Sequence, residues 1–321
     1  MNTYKKFFIK TLILMLTVPI IIAIIALFAS NYFIGKEIIR YGESQMVQKW
    51  MTQKKQASLE LSKKGPKIVI LSGSNTLYGV NAMKIEKETG VQTLNYGLHA
   101  GLGPYIFYDA KRILKKGDTV FIPLEYCYYE DNYEINNLPS TLVEYTIGYD
   151  NSYYRQLPIK SKLKILAYLV RLDSLAAISK TIDNEYKLSP RGDAIDAFET
   201  DKKYSKKAKP EEIKVKKLTN KYKKWELYKF IQWCKENDIK IYAIAPNVYH
   251  KKNISKEEQK SFDEIKKFYN LVGVKFIGKF EDGFFDLKYI YETNYHLNID
   301  GQDIRSDYFI RKIKHELKNN H

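Results

Sequence analysis

From Thr11 to Gly35 the chain carries no charged residue, and Ile, Leu, Ala and Phe dominate the run. Its twenty-five residues exceed the roughly 20 that an α-helix needs to cross the hydrocarbon core of a bilayer. Pro19 is tolerable in such a helix. The run is longer than the apolar region of a typical signal peptide. No small-x-small cleavage site follows it, and no cysteine near its end could take a lipid. It reads as an uncleaved single-span anchor over 11–35, a cleaved signal being the alternative. Lys5, Lys6 and Lys10 precede the run, whereas Lys36 beyond it is followed at once by Glu37. The positive-inside tendency then puts residues 1–10 in the cytoplasm and the chain after about Lys36 outside.

Residues 36–65 read as a helical stalk, with Ile38, Ile39, Met46, Trp50 and Leu59 set apart by charges and Gly65-Pro66 ending it. Strand-like runs then recur at 67–72, 92–96, 119–124, 240–245 and 274–277, with helical patterns at 80–89, 103–115, 218–237 and 255–271. Strands alternating with helices predict an α/β fold over 66–321. It is a three-layer sandwich around a parallel five-stranded sheet, preceded by one transmembrane helix. Gly117-Asp118 and Asn237-Asp238 supply turns before two of the strands. The span from about 128 to 217 is too long for a crossover and shows no clear strand. It reads as an insertion over the C-terminal edge of the sheet: tyrosine- and asparagine-rich first, then an apolar-periodic helix over 161–180, then a lysine-rich run over 202–217.

Lys and Arg number 53 against 37 Asp and Glu, a net charge of +16. The lysines are scattered apart from 202–217, and a domain outside the cytoplasm does not meet nucleic acid. The field suits anionic lipid headgroups or anionic envelope polymers, the plainer account being a solvated basic face. Two cysteines, Cys127 and Cys234, are too few for a disulfide framework and are expected as free thiols, with one disulfide the alternative. No residues have metal-ligand spacing.

Chemistry enters with two segments far apart in the chain. Leu71-Ser72-Gly73-Ser74-Asn75-Thr76 follows the first strand and sets a serine at the C-terminal edge of the sheet, where open α/β folds bind ligands. Glu292-Thr293-Asn294-Tyr295-His296-Leu297-Asn298 offers an acid and an imidazole. A serine hydroxyl is a poor nucleophile until a base takes its proton, and an imidazole oriented by a carboxylate is the usual base. Taken singly, the first segment is a common turn and the second a core histidine; together they point to acyl-group chemistry.

These segments resemble the SGNH (GDSL-type) hydrolase and acyltransferase superfamily, in particular its membrane-anchored envelope members. The resemblance covers roughly residues 66–127 and 236–313. It implies a flavodoxin-like sheet, Ser74 as nucleophile, His296 as base, and the N–H of Gly97 (in Asn95-Tyr96-Gly97-Leu98) as an oxyanion donor. The family's acid precedes its histidine by three residues, but Thr293 stands there. Glu292, four before, takes the role, with Asp286 as fallback. The family's third-block asparagine has no counterpart in Pro123-Leu124-Glu125-Tyr126-Cys127. Oxyanion stabilisation then falls to the N–H groups of Ser74 and Gly97 and the Asn75 side chain. Glu125 reads as a hydrogen-bonding neighbour at the same edge and His99 as a nearby loop residue. The tyrosines of 126–133 read as a sugar platform or as ordinary core.

The resemblance implies an extracytoplasmic serine O-acyltransferase, O-acetyl first, acting on a cell-envelope polysaccharide. It would need no metal or organic cofactor and would work with a multispan membrane O-acyltransferase. An esterase trimming the same polymer is the alternative among enzymes. A non-catalytic scaffold or glycan-binding accessory is the alternative outside them.

Overall fold

Every residue of Ile68–Ser72 (β1) is buried, the pattern of a strand with both faces covered rather than the alternation of a half-exposed one. The structure, a computed structural model, describes residues 3–39, 43–129, 140–170, 187–194, 208–215, 226–251 and 253–318. The lysine-rich run up to 207, residues 216–217 and the second half of the helix expected over 161–180 lie outside the described residues. The chain divides into two compact units, residues 1–45 with 143–182 and residues 46–142 with 183–321.

In the first unit, helix α1 (Thr3–Ile39) is long and apolar enough over Thr3–Ala26 to cross a membrane, and none of that stretch is buried in the protein. The described insertion helices are α6 (Ser140–Gly148), α7 (Asn151–Gln156) and α8 (Ile159–Val170). Helix α8 packs on α1.

The second unit holds the sheet. Its strands are β1, β2 (Thr93–Gly97), β3 (Thr119–Ile122), β4 (Lys240–Ile244) and β6 (Lys275–Ile277), all parallel, in the order β2-β1-β3-β4-β6. The α/β architecture with five parallel strands is therefore the one expected. From β1 the chain moves outward to β2 and then returns to β3, so the order reverses between β1 and β3. In open α/β sheets ligands bind at such a switch point, outside the C-terminal ends of the strands.

Alternate residues face opposite sides of the sheet. Ile68, Ile70, Phe121, Ile244 and Ile277 pack against α4 (Ala82–Thr89) and α11 (Ile299–Lys318), which contributes Phe309, Ile310 and Ile313. Phe276 points the other way, 6.0 Å from Tyr269 of α10 (Lys256–Leu271). On that side α5 (Tyr105–Ala110) meets α9 (Glu226–Glu236) through Phe107 and Phe230, 5.5 Å apart. A further pair, β5 (Val248–Tyr249) and β7 (Phe284–Phe285), lies outside the main sheet and left no periodicity to read.

The expected stalk forms α2 (Glu43–Lys64), but it does not stand free. Val47, Trp50, Met51, Lys54, Ser58 and Leu61 recur on one helical face and are all buried. Lys54 donates to Asn95 O (2.8 Å) and Gly192 O (2.6 Å), and burial lowers its pKa to about 7. The segment 187–194 returns from the insertion to cover edge strand β2, where Asn95 N donates to Arg191 O at 2.8 Å. Its Asp193 accepts from Ala82 N at the start of α4.

Candidate active site

Ser74 is the first residue of α3 (Ser74–Gly79), directly after β1. The residue before it, Gly73, has no side chain to cap this helix. Glu125, beyond the end of β3, takes the capping role from the neighbouring strand end: its Oε1 accepts the Asn75 N–H at 2.8 Å. The same oxygen accepts the Ser74 hydroxyl at 3.4 Å. Gly73 is glycine for the same reason, because a Cβ there would lie 2.7 Å from Glu125 Oε1. Ser72 Oγ and Asn75 Nδ2 both donate to Pro123 O, at 2.8 and 2.7 Å, and tie the two strand ends together.

Glu125 is only 3% exposed. Burial pushes its carboxyl up to about 6, against the lowering pull of the Asn75 N–H, His99 and Ser74; Glu211 adds to the rise. The Cys127 thiol faces its second oxygen at 4.0 Å. Both cysteines are free, and burial raises the Cys234 thiol to about 12.

His296 lies on a loop pinned at both ends. Tyr291 N donates to His296 O, His296 N donates to Thr293 O, and Ile290 bridges Leu297. Its ring sits 4.2 Å from that of Tyr78. Tyr78 is four residues after Ser74, on the same face of α3, so the stack brings the imidazole to the serine's side of the helix. Asn247, following β4, holds this loop to α3: its Nδ2 donates to Tyr295 O at 2.6 Å. A Cβ on Gly79 would meet its Oδ1 at the same distance.

Burial lowers the pKa of His296, with Glu292 opposing and His99 adding to the shift. The ring is therefore neutral near pH 7, the form a general base requires. Glu292 Oε2 is 3.5 Å from Nδ1, at the outer limit of a hydrogen bond, and Nδ1 has no closer partner. The contact is electrostatic, and the histidine holds the Glu292 carboxyl below its ordinary value. Glu292, not Asp286, is thus the carboxylate paired with the ring.

Three expectations meet a different arrangement. The Ser74 hydroxyl donates to Glu125 rather than to His296, because the capping carboxylate already sits at the helix start. The Gly97 N–H is engaged by Asn95 Oδ1 at 2.9 Å. A Cβ on Gly97 would collide with the backbone of Thr76 and Leu77, so its glycine character serves the close approach of α3. The Asn75 side chain is spent on Pro123 O, with its Oδ1 buried and unpaired.

His99 lies where expected, in the loop after β2. Its Nδ1 accepts the Gly101 N–H at 3.0 Å, and it acts electrostatically on both Glu125 and His296. Asn247 gave no signal in the sequence beyond following a strand. Among the described residues no cluster of His, Cys, Asp or Glu could hold a metal ion.

This arrangement offers a serine hydroxyl, a buried imidazole and two carboxylates on the loops and helix starts that follow the sheet strands. No family model, curated protein or solved structure matches the chain.

Proposed function

We propose that this protein is a membrane-anchored, extracytoplasmic serine O-acyltransferase of SGNH type that acts on a cell-envelope polysaccharide. The observation that carries the reading is the stack of His296 on Tyr78, which brings a neutral, buried imidazole to the face of α3 that bears Ser74. The strand order supports it, since it is that of flavodoxin-like sheets, whose ligands lie at the β1/β3 switch point. In this reading Ser74 Oγ turns from Glu125 and attacks the acyl carbonyl while its proton passes to His296. The acyl–oxygen bond of the donor then breaks, and the leaving oxygen takes the proton back. The acyl-serine is finally attacked by a sugar hydroxyl whose proton passes to His296; the Ser74 Oγ–acyl bond breaks and Oγ takes that proton back.

The oxyanion donors are sparse. The Ser74 N–H, at the first helical position, is the donor placed for the task. The Gly97 N–H joins it only by leaving Asn95. One missing donor costs about 10²–10³ in rate in comparable sites, for attack by water and by a sugar alike, so the choice of transfer rests on the resemblance to acyltransferases. An acyl carrier delivered by a multispan membrane partner would suit the apolar helix α1.

A second reading, a non-catalytic glycan-binding accessory, is favoured by the same engaged donors at Gly97 and Asn75. Turnover of a chromogenic acetate ester by the full chain in detergent separates the two. Turnover that disappears in Ser74→Ala supports the enzyme, and none in the wild type leaves the accessory. A reporter fused after His321 should be active only outside the cytoplasm; activity inside would remove the envelope substrate.

A further inference from the structure

We propose that Glu125 is the positioning residue of the Ser74 nucleophile, holding the hydroxyl and the first turn of α3 in place for attack. Several features of the turn depend on this one carboxylate. Its Oε1 takes the Asn75 N–H and the Ser74 hydroxyl together. It replaces the cap that Gly73 cannot supply. The space that a side chain at residue 73 would need is filled by the carboxyl group itself. Burying a carboxylate is costly and an apolar residue would pack there more cheaply. Keeping the acid therefore points to a task beyond packing.

Glu125 is faced from every side by groups that bear on its charge. Ser74 and Asn75 approach from α3, His99 from the loop after β2, and Cys127 from its own turn. Glu211 acts from the segment 208–215 and Tyr295 from the histidine loop. Because burial brings its titration to about 6, the hydroxyl loses its charged acceptor on mild acidification, and positioning should weaken there.

The proposal rests on the reading of Ser74 as nucleophile, and the test separates the two. The full chain in detergent is treated with a fluorophosphonate, which needs no acyl donor or acceptor. Ser74 Oγ bonds to phosphorus, fluoride leaves, and the hydroxyl proton goes to base. Labelling is followed by intact mass, with thermal melting of each variant as the fold control.

The wild type should label at Ser74, with a rate that falls below about pH 6. Glu125→Ala should label about 10²-fold more slowly. Glu125→Asp, whose shorter side chain withdraws the acceptor but keeps the charge, should be nearly as slow and covers the case in which the alanine variant does not fold. Glu125→Gln, whose amide oxygen still accepts from Ser74 and Asn75, should recover to within about tenfold of wild type and lose the part of the acid fall that Glu125 contributes, leaving the part due to His296. Wild-type rates in the alanine and aspartate variants would overturn the proposal. So would a glutamine variant as slow as the alanine one, because that marks a proton acceptor. A wild type that does not label overturns the nucleophile reading and the proposal together. Only the first two results strike Glu125 alone.

Discussion

The two edges of the sheet bury charge in opposite ways. At the N-terminal edge, Lys67 Nζ donates to Asp118 Oδ2 (2.6 Å), Ile113 O (3.0 Å) and Ser62 Oγ (3.0 Å). Asp118 also accepts the backbone N–H groups of Lys67 and Lys115, at 3.0 and 2.9 Å. Cation and anion are both deeply buried and both fully served. At the C-terminal edge, no Lys or Arg among the described residues forms an ion pair with Glu125, and only His99 acts on it as a cation would. Asn75 Oδ1, Asn247 Oδ1 and His296 Nδ1 are buried without hydrogen-bond partners. The first edge spends its polar groups on closing β1 and β3. The second keeps polar capacity in hand, as sites that must bind and react do.

The largest effect that could break this contrast is loss of chemistry. Ser74→Ala and His296→Ala should each lower ester turnover by at least about 10³-fold, and the double variant should be little worse, because members of one catalytic unit fail together. Melting temperatures should stay near wild type. If both variants turn over normally, the C-terminal edge is only structure, like its opposite.

Next in size is the paired edge. Asp118→Ala strands Lys67 in the core and should cost about 3–5 kcal/mol, read from chemical denaturation. Replacing both partners by apolar residues should recover much of the loss, since the desolvation cost of the two charges disappears with them. A near-zero cost for the single variant would mean that water reaches the pair, and the contrast would fall.

Smaller, and opposite in sign, is Glu125→Gln. The Glu125 carboxyl rises from 4.5 to about 6 on folding, so the folded state binds the proton more tightly than the unfolded one. Stability contributed by this group is complete below the unfolded value and is lost as pH climbs through about 6. The deficit at neutral pH is on the order of 2 kcal/mol. Glu125→Gln should therefore raise the melting temperature near pH 7.5 and lose that advantage near pH 4. A destabilised glutamine variant at neutral pH would show that the charge is compensated after all.

The smallest expected change belongs to Glu292→Ala. The Glu292 side chain is half exposed and at the outer limit of a hydrogen bond to the ring, so water can take over much of its role. Turnover should fall by about tenfold or less. A loss as deep as that of His296→Ala would mean that the carboxylate closes on Nδ1 when substrate binds.

Much of the architecture was legible because its signals are local. Buried parallel strands such as Ile68–Ser72 leave unbroken apolar runs, and α10 begins with Ser255 and Glu258 in a capping box. The packing of α2 was not legible. A lysine reads as an exposed residue, and only the carbonyls of Asn95 and Gly192 make room for Lys54 on the buried face. The pair β5 and β7 is two residues per strand, too short for a period of two to appear. In the site, the strand-end position of Glu125 was visible but its partner was not, and Asn247 showed no sign of its hold on the histidine loop.

The sequence by itself determined an N-terminal apolar span, read over Thr11–Gly35 and found in the structure within a helix whose apolar stretch is Thr3–Ala26, the alternation that builds a parallel sheet, and the places of Ser74 and His296 at the ends of elements. These follow from periodicity and chain order, which act over a few residues. Only the tertiary structure decided which polar groups meet: the Ser74 hydroxyl with a carboxylate 51 residues away, the Gly97 N–H with Asn95, and the imidazole with Tyr78. Once water is excluded, every buried donor must choose among the acceptors that folding brings within reach, and those neighbours are remote in the chain.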